Sequence, residues 1–372
     1  MKILYYFAET SNYMEAWQRV HIFDELKQHG IFVEVFNPLR ERSIEEANHL
    51  LVKKVQKRGY DLFMTCHASE WFIGDTIETI RQYGLPTLLV CFDNMHAPFM
   101  HKDIASKFDL VWLTSRENEK MFKAWRCRKI IMMPYAANPH AFNPQWSRKC
   151  VPKISFIGSP YGSRTSLLNS LVDNGIPVEL FSGGNSSPVS NPDFPLSVPR
   201  KSKLRSLAEC LSFEIGRKLV FSKIKSIIGG KIKLSDSPYL TRSNSVSFGG
   251  MLSVYSDYAL SLNSLVLRNT GVLKRPLFKL HLRTFEIPMS GGLEFAQRND
   301  ELCEYFDEDN EIVLWSDECE MLDKARFYLN EKNVEVVNKM KQLARRRAEL
   351  EHTWFSRFKN IFKLLEIKNA HT

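Results

Sequence analysis

The chain opens on a short apolar run, Ile3-Leu4-Tyr5-Tyr6-Phe7, which gives way at once to the polar Glu9-Thr10-Ser11-Asn12. The same alternation of brief apolar runs with longer segments continues to about residue 135. Runs at 2–7, 31–36, 61–66, 86–92, 109–114 and 130–132 have the length of buried strands. Segments 13–29, 44–58, 71–83 and 115–125 carry apolar residues at helical spacing. Strands and helices in turn predict a parallel sheet covered by helices. Gly30 predicts the C-terminal cap of the first helix, and Gly84-Leu85-Pro86 a turn into a strand.

The pattern stops at Pro134-Tyr135-Ala136-Ala137-Asn138-Pro139-His140-Ala141-Phe142-Asn143-Pro144, where repeated prolines leave neither helix nor strand room to persist. A second α/β pattern begins with the strand Ile154–Ile157, a turn at Gly158–Gly162 and a helix from about Arg164 to Asp173. It breaks at 182–202, rich in Gly, Ser, Asn and Pro. A possible amphipathic basic helix follows over 203–228, so that about 185–240 reads as an insertion. The α/β alternation returns at 245–263 and runs through a strand at 311–315 to helices at about 317–330 and 333–350. Helical apolar spacing in 353–366 predicts a last helix that packs against something.

At 372 residues the chain exceeds one ordinary hydrophobic core, and its 44% hydrophobic and 25% charged residues are ordinary globular values. Two α/β domains are therefore expected: 1–136, a linker at 137–152, a second domain at 153–350 holding the insertion, and a C-terminal helix within 351–372. The first apolar run is too short for a signal peptide, and no run reaches the ~18 residues of a membrane span. Seven cysteines, an odd number without a CxxC pair, point to reduced thiols in the cytoplasm and to no zinc site.

The net charge of +9 is concentrated: 200–233 holds ten Lys or Arg against Glu209 and Glu214. That segment interleaves its cations with leucines, isoleucines and phenylalanines, as in a helix lying on an anionic membrane; a solvated face over a packed domain is the other reading. Nucleic acid is not expected, since no aromatic platform or reading motif accompanies the charge.

Two short stretches could carry chemistry. In Gly158-Ser159-Pro160-Tyr161-Gly162-Ser163-Arg164, a small-residue turn before a helix would let backbone N–H groups approach a phosphate, with Arg164 adding a forked cation. A plain tight turn with a surface arginine would look the same. In Arg283-Thr284-Phe285-Glu286-Ile287-Pro288-Met289-Ser290-Gly291-Gly292, a helix would bring Arg283 and Glu286 to one face, either to hold phosphate and ribose or as a simple ion pair.

Taken in order, these two stretches, Ser261-Leu262-Asn263 between them and His352-Thr353-Trp354-Phe355-Ser356-Arg357 after them resemble the motifs of the spore-maturation-protein CgeB group of glycosyltransferases, over about 150–365 less the insertion. The resemblance implies the GT-B architecture, two Rossmann-like domains facing a cleft, with the C-terminal helix packing back on the first. It implies a nucleotide-diphosphate sugar as donor and neither metal nor cofactor. Gly158, Ser159, Arg164 and Arg283 would hold the diphosphate and Glu286 the ribose. Wider relatives carry a second glutamate eight residues earlier, where this chain has Phe278; Glu294, eight residues later beyond the glycine pair, reads as a coincidence of spacing.

A base for the acceptor hydroxyl is sought at the strand ends of the first domain. Asp93 is the first candidate and His67 the second, with His96 and Glu9 behind them; each also suits a loop or capping position. The function expected is sugar transfer to a glycan, lipid-linked or surface-polysaccharide acceptor, by a cytoplasmic protein able to rest at the inner face of the membrane. A non-catalytic scaffold of the same architecture is the alternative, and an epimerase a third reading.

Overall fold

A computed structural model describes residues 1–10, 13–92, 95, 97, 99–144, 146, 150–183, 194–197, 202–230 and 232–367. The chain divides into two compact units. The first is Met1–Pro134 with Val189–Val220 and Trp354–Thr372; the second is Tyr135–Pro188 with Phe221–Thr353.

The first unit is built on β1 (Lys2–Tyr6), β2 (Phe32–Phe36), β3 (Leu62–Thr65), β4 (Thr87–Cys91), β5 (Leu110–Leu113) and β6 (Ile130–Met132), all parallel in the order β2-β1-β3-β4-β5-β6. β3, β4 and β5 are buried at every position, as strands covered on both faces must be. The helices are α1 (Tyr13–Gln18), α2 (Asp24–Gln28), α3 (Ile44–Gln56), α4 (Thr76–Gln82) and α5 (Glu119–Ala124). A π-helical turn, Arg19–Phe23, joins α1 to α2, so 13–28 is one helical run. The helix expected from 71 starts only at Thr76, because Gly74, at φ 49°, turns the chain just before it.

The second unit holds β7 (Val151–Ile157), α6 (Ser163–Asp173), β8 (Val178–Phe181), and, after α7 (Lys203–Leu211) and α8 (Glu214–Ile228), β9 (Leu240–Ser243), α9 (Phe248–Asp257), β10 (Tyr258–Asn263), α10 (Arg283–Met289), β11 (Glu294–Gln297), β12 (Val313–Trp315), α11 (Glu318–Leu329) and α12 (Val334–Glu351). Its six strands are also all parallel, in the order β12-β11-β10-β7-β8-β9. Ile154, Phe156, Leu260, Leu262 and Phe295 form the centre of its core with Leu168, Leu171 and Val337 from the covering helices.

The basic segment is two helices, not one. The Ser212 hydroxyl donates to the Glu209 carbonyl at 2.6 Å and ends α7, as serine does when it offers the backbone a local alternative to the helix. The insertion expected within the second domain is divided at Val220, the earlier part belonging to the first unit. There the Leu196 amide donates to the Leu39 carbonyl and Phe213 meets Trp125 edge-on at 5.9 Å.

The last helix, α13 (Trp354–Leu364), also belongs to the first unit. Its Trp354, Phe358, Ile361 and Phe362 are buried at the spacing of one helix face. Trp354 lies 5.8 Å from both Trp17 and Trp112. The buried Glu25 carboxylate accepts from the backbone amides of Trp354 (3.0 Å) and Phe355 (2.9 Å), capping the helix from another part of the chain.

Candidate functional site

In an open parallel sheet, ligands gather beyond the carboxyl ends of the strands where the strand order reverses. In the second unit that point lies between β7 and β10. Gly158 follows β7 at φ 138°, a left-handed conformation that glycine tolerates. A side chain is excluded there for a second reason: a Cβ on Gly158 would stand 2.8 Å from Arg283 Nη2, with Arg164 Nη1 at 3.9 Å. The bare backbone is where two guanidinium groups converge.

Arg164 comes from the first turn of α6 and Arg283 is the first residue of α10. Aromatic rings support both. Arg164 lies over Tyr161 at 4.6 Å and over Phe156 at 6.0 Å, and Arg283 lies over the Phe156 ring at 5.9 Å. Arg164 also donates to the Ser159 carbonyl at 3.5 Å. Among the described residues neither guanidinium has an ion-pair partner. Burial, and then the charge of Arg283, pull the Arg164 pKa down to about 10.

The loop between β7 and α6 is closely fitted. A Cβ on Gly162 would meet the Arg268 carbonyl and Asn269 Oδ1, each at 2.9 Å, so residue 162 must be small for the loop to close. α6 opens without a side-chain cap, and uncapped N–H groups at a helix start favour an anion. Glu286 lies on α10 three residues after Arg283 and is buried. Of the sequence-predicted residues, Gly158 and Ser159 lie in the turn after β7, Arg164 on α6, and Arg283 and Glu286 on α10, whose first residue reaches the Gly158 turn.

A hollow of about 520 Å³ opens at the ends of β10, β11 and β12, lined among others by Ser163, Asn263, Gln297 and Trp315. Beneath it runs a polar chain that sequence reasoning passed over. Asn263 Nδ2 donates to Glu294 Oε1 at 2.7 Å and to Thr284 Oγ1 at 3.1 Å, linking β11 through β10 to α10. Glu294 is fully buried, and burial pushes its carboxyl up to about 8. Its spacing from Glu286 carried no information; only the sheet register, which sets Ser261 opposite Glu294, brings Asn263 within its reach.

In the first unit the strand order reverses between β1 and β3, and His67 lies just beyond β3. Its Nε2 accepts from the Ala8 amide at 2.6 Å, which leaves the ring proton on Nδ1. The imidazole stacks on Trp71 at 4.5 Å, and burial, helped by nearby His101, lowers its pKa to about 3. His67 is therefore a neutral imidazole at physiological pH, with its basic lone pair already engaged. Glu9 is paired with Arg19. Asp93 and His96 lie outside the described residues.

Solved structures are similar to this chain in fold along nearly its whole length. Anabaena HepE in complex with UDP-glucose is 11% identical with a TM-score of 0.59, covering 98% of this chain and 99% of that one. Sucrose-phosphate synthase from Thermosynechococcus elongatus is 13% identical with a TM-score of 0.57, covering 98% and 99%. A glycosyltransferase from Rickettsia africae is 13% identical with a TM-score of 0.58, covering 99% of each chain. The chain has the GT-B fold. Its two parallel sheets are the two Rossmann-like domains of that fold, and the reversal at β7/β10 lies in the second of them. The family model described as "Glycosyl transferase-like" matches residues 217–363, under half of the chain, a span that contains Arg283 and Glu286 but not the β7 turn. No curated protein matches the sequence.

Proposed function

We propose that this GT-B chain is a glycosyltransferase that takes a nucleotide-diphosphate sugar and passes the sugar to a glycan, lipid-linked or surface-polysaccharide acceptor. One observation carries the reading: Arg164 and Arg283 hold their guanidinium groups together above the bare backbone of Gly158, with no carboxylate partner among the described residues. Two adjacent cations, Arg164 buried and Arg283 half-buried, repel each other, and a doubly charged anion between them turns that cost into attraction. A diphosphate has the charge and the forked geometry to bind both.

In this reading Gly158 and Ser159 let the phosphates approach the backbone and Glu286 accepts from the ribose hydroxyls. As the bond from the anomeric carbon to the diphosphate oxygen breaks, the departing electron pair stays on the diphosphate, where the two arginines stabilise it without a metal. The acceptor oxygen forms the new bond to the anomeric carbon and gives up its proton, for which Asp93 is the proposed base; His67, the second candidate, is set aside because its basic nitrogen already accepts from the Ala8 amide. HepE, crystallised with UDP-glucose on the same fold, supports a nucleotide sugar as donor. The ordered motifs favour the CgeB group within the fold.

Calorimetric titration with UDP and GDP tests the donor site. Glu286→Ala should weaken the bound nucleotide about tenfold or more, with the circular dichroism spectrum unchanged. Equal affinity for both proteins would remove the assignment. Phe278, at the position of the wider class's second glutamate, favours a second reading, a non-catalytic scaffold. A thermal-shift panel of nucleotide sugars separates the two, since a scaffold is stabilised by none of them.

A further inference from the structure

Surface helices normally turn apolar residues inward and polar ones out, as α13 does. The second half of α8 does the reverse. Its inward positions are serines, Ser222 being 1% exposed and Ser226 half-buried. Its outward positions are Phe221 (60% exposed), Ile224 (51%), Ile227 (70%) and Ile228 (82%), and the stripe continues to Ile232 (58%). The helix is held in this orientation, for Lys225 Nζ donates to the Val272 carbonyl at 2.7 Å. Eight of the nineteen exposed large apolar side chains among the described residues lie between Leu204 and Ile232, so the exposure is concentrated and not the scatter of an ordinary surface.

At 3.6 residues per turn, Lys218 and Lys225 fall on one flank of the stripe, where Lys218 pairs with Glu214 and Lys225 holds the Val272 carbonyl, and Lys223 falls on the other. α7 carries a second stripe of the same kind, with Leu204, Leu207 and Leu211 all exposed. Among the described residues no helix is long and apolar enough to cross a membrane. An apolar stripe with cationic flanks on a helix too polar to insert matches a bilayer interface: isoleucines reach the acyl boundary and lysines the anionic headgroups.

We infer that α8 docks the protein, by Phe221, Ile224, Ile227 and Ile228, on a lipid surface rich in anionic headgroups. Charge decides the occupant, because a second copy of this chain would oppose the cationic flanks with its own. The inference stands apart from the donor site: α8 holds none of the residues assigned to the nucleotide, and the two fail separately.

The test is flotation of the full-length protein with phosphatidylcholine vesicles, with and without phosphatidylglycerol. The protein should float with the anionic vesicles and dissociate as salt is raised. Ile224→Gln combined with Ile228→Gln should lower the partition coefficient about tenfold or more, and Lys223→Gln about fivefold in anionic vesicles only. All three side chains are exposed, so circular dichroism and nucleotide binding should match the parent. Absence of flotation, or flotation unaffected by the double substitution, would overturn the inference. So would a parent that is dimeric by light scattering, a double variant that is monomeric, and vesicles that bind neither: a second copy would then be the occupant.

Discussion

Arg164 and Arg283 bring two cations together beside Gly158, and an anion site made this way would give a signature that a packing residue would not. Burial is the larger cause of the lowered Arg164 pKa and the charge of Arg283 the second; Arg283→Met removes that second cause, so the ligand-free protein should become more stable, by about 0.5–1 kcal/mol, while nucleotide affinity falls about thirtyfold. Thermal melts with and without UDP or GDP read both changes; a loss of stability together with affinity would make Arg283 a structural residue instead. Glu294 carries a second test at this scale. Its carboxyl is raised from 4.5 to about 8, so folding holds a proton that the unfolded chain releases. Its contribution is complete below pH 4.5 and declines as pH rises toward 8, by about 1.4 kcal/mol per unit. Glu294→Gln cannot ionise, so its melting temperature should gain on the parent's steadily across that window. Parallel curves would mean that Glu294 is already ionised in the fold.

Strand ends and helix starts were legible in the sequence because small residues mark them: the Gly158–Gly162 turn and the Arg283–Glu286 spacing are local facts, and the structure keeps them at neighbouring elements. Glu294 was not legible, since its meaning depends on β11 lying beside β10 in one register. The basic segment was legible as amphipathic but not as inverted, because periodicity fixes the spacing of an apolar stripe and leaves open which way it faces. Nor did the sequence disclose Arg345 on α12, whose guanidinium donates to the carbonyls of Phe142 and Met289 and, at 3.2 Å, to Pro139. It ties the proline-rich stretch and the end of α10 to one helix. Arg345→Ala should cost about 2–4 kcal/mol by leaving buried carbonyls unpaired, a loss that denaturant melts will measure. The Glu25 cap on α13 should be worth less: Glu25→Gln keeps one acceptor and loses the charge, an expected cost of about 1–2 kcal/mol.

At the scale of the molecule, neither compact unit is one continuous stretch of chain. Residues 1–134 expressed alone would leave Trp17 and Trp112 without the ring of Trp354 and Glu25 without the amides it caps. That fragment should be poorly soluble, and joining 354–367 to it through a flexible linker should restore a cooperative melt; a well-folded fragment without the helix would show that α13 is an accessory. This dependence sets the timing of assembly on the ribosome. Trp17 and Trp112 leave the ribosome long before the helix that covers them, so their elements must wait, with aromatic surface uncovered, until Trp354–Leu364 has been made.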